Sequence, residues 1–192
     1  MITLRSATAA DAVGIAHVHV ETWRTAYRGI LPAELLAALS VERRAAGWRQ
    51  AAAHSGQEGR SLTVAEDDGR IVGFAAGGPV QTPDPVFTGE LYAIYVLDAC
   101  QRRGIGRWLV RAVAEALAAG GHRAMLVWVL AANSAARRFY ESLGGRHVRD
   151  REVSLGGAAY PEVGYGWDDL PALLQQISAG AGSPPGSAGT AG

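Results

Sequence analysis

The 192-residue sequence predicts a single mixed α/β domain, with a central mixed, mostly antiparallel sheet of about seven strands flanked by helices on both faces. Three observations predict it. Period-two and helical apolar patterns succeed one another as β-α-α-α-β-β-β-α-β-α-β-β. Only the middle β-α-β-α portion carries the crossovers that parallel strands require. The balance of 48% hydrophobic and 19% charged residues, in a chain of this length, supports one substantial core.

Each element has a local reason. Ile2–Leu4 is a short apolar strand, and Thr8-Ala9-Ala10-Asp11 places an N-cap three residues before its acidic partner. Val13, Ile15, Ala16, Val18, His19 and Trp23 then recur at helical spacing until Arg28-Gly29-Ile30-Leu31-Pro32 breaks the pattern. A short helix covers Glu34–Leu39, and Ser40 caps a polar, alanine-rich helix running to about Ala53. Ser61–Glu66 and Arg70–Val80 are strands joined at Asp67-Asp68-Gly69, a hairpin signal because Asp-Gly tolerates positive φ. Glu90–Leu97 alternates, with Glu90, Tyr92, Ile94 and Val96 expected on one face. Ile105, Trp108, Leu109, Ala112, Val113, Ala116 and Leu117 form a helical stripe that Gly120-Gly121 ends. Ala124–Leu130 is apolar throughout, as a central strand buried on both faces would be. Asn133 or Ser134 caps a helix with Ala136, Phe139, Tyr140 and Leu143 on its apolar face. His147–Leu155 and Tyr160–Trp167 close the chain as an antiparallel pair. The domain is expected over 1–170, and the Gly/Ala/Ser/Pro tail 178–192 is expected to be disordered.

Composition excludes some functions. With 18 acidic and 18 basic residues, all of the latter arginine, formal net charge is zero. That balance argues against nucleic-acid and anionic-membrane partners. No apolar run approaches the roughly 20 residues of a membrane span, and the N-terminus lacks the cationic start and apolar core of a signal peptide. A lone Cys100 precludes an internal disulfide and fits a reducing compartment, so a cytoplasmic protein is expected.

The stretch Glu90–Trp108 organises the rest: a strand, a basic glycine-bearing turn, and the start of an amphipathic helix. Uncapped amides and the helix dipole make such a turn an anion site. A P-loop needs a lysine the chain does not have, and the dinucleotide fingerprint fails because leucine stands at its third glycine. What remains is Gln101-Arg102-Arg103-Gly104-Ile105-Gly106, which matches the signature (Q/R)xxGx(G/A). With the strand before it, and the helix, apolar strand and Asn133…Phe139-Tyr140 after it, residues 2–167 resemble the GNAT superfamily of acyl-CoA-dependent N-acyltransferases. Trp23…Ala26-Tyr27-Arg28-Gly29-Ile30 also looks like the opening helix segment of many bacterial members.

The resemblance implies acetyl-CoA as acyl donor, with no metal. The backbone from Arg102 through Gly104, Ile105 and Gly106 to Arg107 would hold its pyrophosphate, the glycines allowing close approach and Arg102, Arg103 and Arg107 adding charge. The pantetheine arm would pair along Ile94, Tyr95 and Val96, one of whose amides would polarise the acyl carbonyl. Asp98-Ala99 stands where many relatives have Asp-Pro, which leaves the phosphate-binding amides untouched. Tyr140, seven residues after Asn133, matches the general acid, and Asn133 the helix-capping residue that contacts pantetheine. Glu90 is the candidate base, acting through a water. Trp23, Tyr27, Tyr92, Trp128 and Tyr160 are candidate walls of an acceptor site. His17 and Glu21 share a helix face without a third metal ligand, and Cys100 has no neighbouring base to make it a nucleophile. The implied reaction is direct acetyl transfer to a primary amine, a small molecule or a protein N-terminus, in a ternary complex; a homodimer would be in keeping with the resemblance. A coenzyme A-binding module without turnover, or transfer of a longer acyl chain, would use the same turn.

Overall fold

The computed structural model describes residues 1–57 and 59–180. β1 (Ile2–Ser6) leads through a 3₁₀ turn into α1 (Ala12–Ala26), followed by α2 (Ala33–Ala37) and α3 (Val41–Ala53). Then come β2 (Ser61–Asp67), β3 (Arg70–Pro79) and β4 (Gly89–Val96). α4 (Ile105–Ala119), β5 (Met125–Leu130), α5 (Ser134–Ser142), β6 (Arg146–Leu155), β7 (Ala158–Trp167) and α6 (Leu170–Gly180) complete the order. Local chemistry sets several of these boundaries. The Thr8 amide donates to Asp11 Oδ2 at 2.7 Å, and Arg5 grips both Asp11 oxygens at 2.8 Å and Glu66 at 2.7 Å, tying the start of α1 to the β1–β2 pair. The Ser40 hydroxyl accepts from the Arg43 amide, and the β2–β3 turn carries Asp68 at φ 48° and Gly69 at φ 81°.

The seven strands lie in the order β1-β2-β3-β4-β5-β7-β6, and every adjacent pair is antiparallel except β4 with β5. That parallel pair is joined through α4, as a crossover requires. α1 and α3 cover one face, where His19, Trp48, Phe74 and Tyr95 pack together. α4 covers the other, with Leu109, Val113 and Leu117 fully buried and α6 packed on its outer side. Each such side chain contributes about 1.5–3 kcal/mol relative to exposure.

The critical irregularity is in β4. Gly77 faces Leu91 and Ala76 faces Ala93, so Tyr92 is an extra residue with no partner of its own on β3. Such a bulge turns the strand's faces over. A Cβ on Gly77, opposite Leu91, would point at Val113, and one on Gly73 would lie 3.2 Å from Val96 Cγ2 and 3.5 Å from Leu109 Cδ1. Leu91 and Val96, five residues apart, therefore share the α4 face, which strict alternation forbids. The expected common face of Glu90, Tyr92, Ile94 and Val96 does not form: Glu90 lies on the α1 face, opposite Ile94 and Val96.

Two other expectations are corrected. The domain continues past residue 170, because Leu170, Leu173 and Ile177 fall at helical spacing, are buried, and make α6 an integral helix; Pro171 suits its first turn. Residues 178–180 of the expected tail belong to that helix, and 181–192 lie outside the described residues. On α1 the buried positions are Ala12, Ile15, Ala16, Val18, His19, Val20 and Thr22, while Val13 is exposed. Among the described residues no helix is long and apolar enough to cross a membrane.

At Gly77, β3 packs directly beneath Val113 of α4. A Cβ there would sit 2.3 Å from Val113 Cγ1 and 2.9 Å from the Glu90 carbonyl oxygen, which as backbone cannot move aside. Gly77→Ala is expected to lower stability by about 1–3 kcal/mol. The urea midpoint measures this, and an unchanged value would refute the close approach.

Candidate active site

β4 and β5 pair only from Gly89–Leu91 to Met125–Val127, and beyond that they part. A cavity of about 890 Å³ occupies the opening and is lined from both faces of the sheet. Its construction follows from the bulge. Before Tyr92, the Gly89 amide donates toward β5, to Ala124 O at 3.1 Å. After it, the Leu97 amide donates to Val72 O at 2.9 Å, so by alternation Tyr95 and Leu97 bond to β3. The amides and carbonyls of Ile94 and Val96 face the opening instead. Gln101 Nε2 reaches the Val96 carbonyl at 3.1 Å from that side. Of the three residues expected to form the edge, Ile94 and Val96 present their backbone to the cavity, while the Tyr95 backbone is held by β3.

One end of the cavity is the N-terminus of α4. Gly104 caps it at φ +81° with no side-chain hydrogen bond, and the first backbone bond runs from Trp108 N to Gly104 O. The amides of Ile105, Gly106 and Arg107 are thus left without intrahelical partners where the dipole is positive. A Cβ on Gly106 would lie 3.1 Å from the Phe139 ring, so glycine lets α5 close over the helix start. Arg102 and Arg107 line the cavity. Arg103 does not: it donates to Asp67 Oδ2 at 3.1 Å, on the β2–β3 hairpin. Arg138 and Gln101 also line this end, and neither was among the expected site residues. Arg137 and Arg138 are adjacent in sequence, and nothing local decides that Arg137 turns away to the Ala131 carbonyl and the Tyr165 hydroxyl while Arg138 faces the cavity.

α5 supplies the middle. Asn133 Oδ1 accepts from the Ala136 amide at 3.1 Å and caps the helix, which turns its NH₂ away from that bond. Tyr140 is buried against Phe139, Tyr165 and Trp167 but lines the cavity. Burial pushes its phenol well above the ordinary value, and the neighbouring Tyr95 hydroxyl adds to the shift.

The other end is aromatic. Thr22 and Ala26 of α1, and Tyr27 that caps its C-terminus, line the cavity with Tyr92 and Trp128. Tyr95 Oη accepts from Trp23 Nε1 at 2.9 Å, and its ring stacks on His19 with centroids 5.1 Å apart. His19 Nδ1 accepts from Trp48 Nε1 at 3.1 Å, and burial lowers the imidazole pKa to about 3, so it is neutral. Of the expected walls, Tyr27, Tyr92 and Trp128 line the cavity, whereas Trp23 donates to Tyr95 from outside the lining and Tyr160 packs with Leu31, Leu36 and Leu130. Arg151 lies over Trp128, 4.0 Å from the ring centroid, and pairs with Glu162. His17 and Glu21 are exposed, and among the described residues no group of three His, Cys, Asp or Glu could hold a metal.

Glu90 lies outside this lining. Only 5% of it is exposed, and its carboxylate accepts from the Gln81 amide at 2.9 Å and from Gln81 Nε2 at 3.4 Å. Burial raises its pKa. Among the described residues lining the cavity there is no Asp, Glu or His. The arrangement suits an extended ligand with an anionic end at α4, its arm on the Ile94–Val96 edge, and a second ligand arriving from the α1 face.

Comparison with known proteins agrees with this geometry. The acetyltransferase (GNAT) family model matches residues 20–145. The uncharacterized N-acetyltransferase YuaI of Bacillus subtilis (strain 168) is 37% identical over 174 residues, covering 90% of this chain and 96% of that protein. The PaiA N-acetyltransferase from Thermoplasma acidophilum, solved in complex with coenzyme A, superposes with a TM-score of 0.69 at 18% identity, covering 85% of this chain and 98% of that one. YncA from Salmonella typhimurium, solved with its cofactor acetyl-CoA, superposes with a TM-score of 0.66 at 22% identity, covering 88% and 94%.

Buried Glu90 makes stability depend on pH. The unfolded chain releases this proton at the ordinary glutamate value and the folded chain at a higher pH, so the folded state holds more protons between the two. Stability should fall as pH rises through that window, and Glu90→Gln should remove this part of the fall. Urea midpoints from about pH 4 to about pH 7 measure it. Equal pH slopes in the two proteins would refute a raised Glu90.

Proposed function

This chain belongs to the GNAT acetyltransferase family and is an N-acetyltransferase, and we propose that it transfers the acetyl group of acetyl-CoA directly to a primary amine in a ternary complex. One observation carries the reading: a single cavity joins the uncapped α4 terminus on one face of the sheet to the aromatic recess on the other, with Tyr140 lining the passage.

In this reading the pyrophosphate lies against the amides of Ile105, Gly106 and Arg107, with Arg102, Arg107 and Arg138 supplying charge. The pantetheine amides pair with the Ile94–Val96 edge as an added strand would, and Asn133 contacts the arm through its NH₂. The thioester carbonyl accepts from the Ile94 or Val96 amide, a donor already held by the sheet. The amine, a small molecule or a protein N-terminus, enters between Tyr27, Tyr92 and Trp128. Its nitrogen attacks the carbonyl carbon, the C–S bond breaks, the thiolate takes the Tyr140 proton, and the acylated nitrogen sheds its extra proton to solvent, from which Tyr140 regains its own. Lining without a carboxylate keeps a bound amine from being held as an ammonium ion, which favours its nucleophilic form.

Thiol release from acetyl-CoA, measured against a panel of amines, tests the reading. Release with a primary amine supports it; measurable acetyl-CoA binding with no release for any amine would overturn it in favour of a binding module. Tyr140→Phe is expected to lower kcat about 100-fold or more while leaving the KM for acetyl-CoA unchanged. A variant with wild-type kcat would remove Tyr140 from the chemistry.

A further inference from the structure

We propose that a second cavity, between α3 and the β2–β3 pair, is the distal half of the acceptor site. It holds a carboxylate carried at the far end of the amine substrate, with Arg60 as the partner of that carboxylate. The inference rests on the acetyl-transfer reading above and names its substrate class: small primary amines whose chain ends in a carboxylate. The cavity measures about 580 Å³. Trp48, Ala76 and Tyr92 give it apolar walls and floor, while Gln50, Gln57 and Arg60 bring side-chain N–H donors.

The two cavities adjoin on one face of the sheet. Tyr92 lines both. Ala93 lines the main cavity, and its direct partner on β3, Ala76, lines the second. Directly opposed residues share a face, with Cβ atoms about 5 Å apart. Two methyl groups therefore floor the way from one cavity to the other. The Tyr92 hydroxyl donates to the Pro79 carbonyl, which fixes the ring beside that floor.

Arg60 stands at the far end. The turn from α3 to β2 locks its backbone: its amide donates to Gln57 O at 2.8 Å, and its carbonyl accepts from the Gly56 amide at 2.8 Å. Its stem crosses β3 at Gly78, where a Cβ would lie 3.0 Å from Arg60 Cγ and 2.7 Å from Tyr92 Oη. Gly78 is three residues along β3 from Ala75, the partner of Ile94. At about 3.3 Å per residue, the stem lies about 10 Å from the edge that receives the thioester. An α-amino acid carries amine and carboxylate on one carbon and cannot span this. An ω-amino carboxylate with several methylenes can, laying its chain over Ala93 and Ala76. The planar guanidinium fork matches a carboxylate bidentately. Among the described residues no Asp or Glu lines either cavity to repel one.

The test is kcat/KM, by thiol release at saturating acetyl-CoA, for ω-aminooctanoate, its methyl ester and octylamine. The wild type should prefer the carboxylate about 10- to 100-fold over the other two. Arg60→Gln should bring that ratio close to unity through a higher KM for ω-aminooctanoate, with the KM for acetyl-CoA unchanged. A wild-type ratio near unity, or a preference that survives Arg60→Gln, overturns the carboxylate subsite and leaves acetyl transfer standing. Absence of thiol release from the wild type with these three and with every amine of the panel overturns both.

Discussion

The extra residue at Tyr92 governs this molecule. Without it, the amides facing β5 before the bulge would continue in the same register, and β4 would present the Ala93 and Tyr95 backbone to its neighbour. With it, that side passes to Ile94 and Val96, while Tyr95 and Leu97 stay bonded to β3. The strand keeps its place in the sheet on one edge and gives up its partner on the other. A free edge inside a sheet leaves strong donors and acceptors to be satisfied. Here that demand is met by a slot into which an extended ligand can pair. The same turnover of faces puts Tyr95 with α1 and Ile94 and Val96 with α4, so one strand serves both halves of the cavity.

The two halves are built on different physics. The α4 end is electrostatic: unpaired amides, a helix dipole, and Arg102, Arg107 and Arg138 around them. All of these but Arg138, which comes from α5, lie close together in the chain, because a turn and a helix start are local structures. The α1 end is made by aromatic packing. Trp23, His19, Trp48, Phe74 and Tyr95 lie within 6.2 Å of one another by successive ring contacts and hydrogen bonds, and together they hold one hydroxyl at the end of the passage. Low polarity at this end raises the phenols and keeps His19 neutral.

This division explains what could be read in advance. Strands, helices and the anion turn are written in periodicities and in glycine placement, and Gly104, Gly106, Asn133 and Tyr140 line one cavity. The fold class is legible for the same reason: only β4 and β5 have a helix between them and adjacent parallel strands to show for it. What was not legible depends on contacts between distant segments. Alternation in Glu90–Val96 is unbroken as sequence, and only pairing with Gly77 and Ala76 reveals the bulge that moves Glu90 to the opposite face from Ile94. Arg103 and Arg102 are indistinguishable neighbours until Asp67, from another hairpin, claims one of them. Leu170, Leu173 and Ile177 are periodic, but a short apolar triplet next to a Gly/Ala-rich tail acquires meaning only when α4 offers it a surface.

The burial of Glu90 follows from the same constraint and bears on the chemistry. On the α1 face, next to the pairing of β4 with β5, its carboxylate is sealed by Gln81 and charged only against the cost of desolvation. A carboxylate used as a base must meet the proton it takes, or a water that does. Glu90 instead spends its acceptors on the loop that closes over the start of β4, which makes it a structural partner of Gln81.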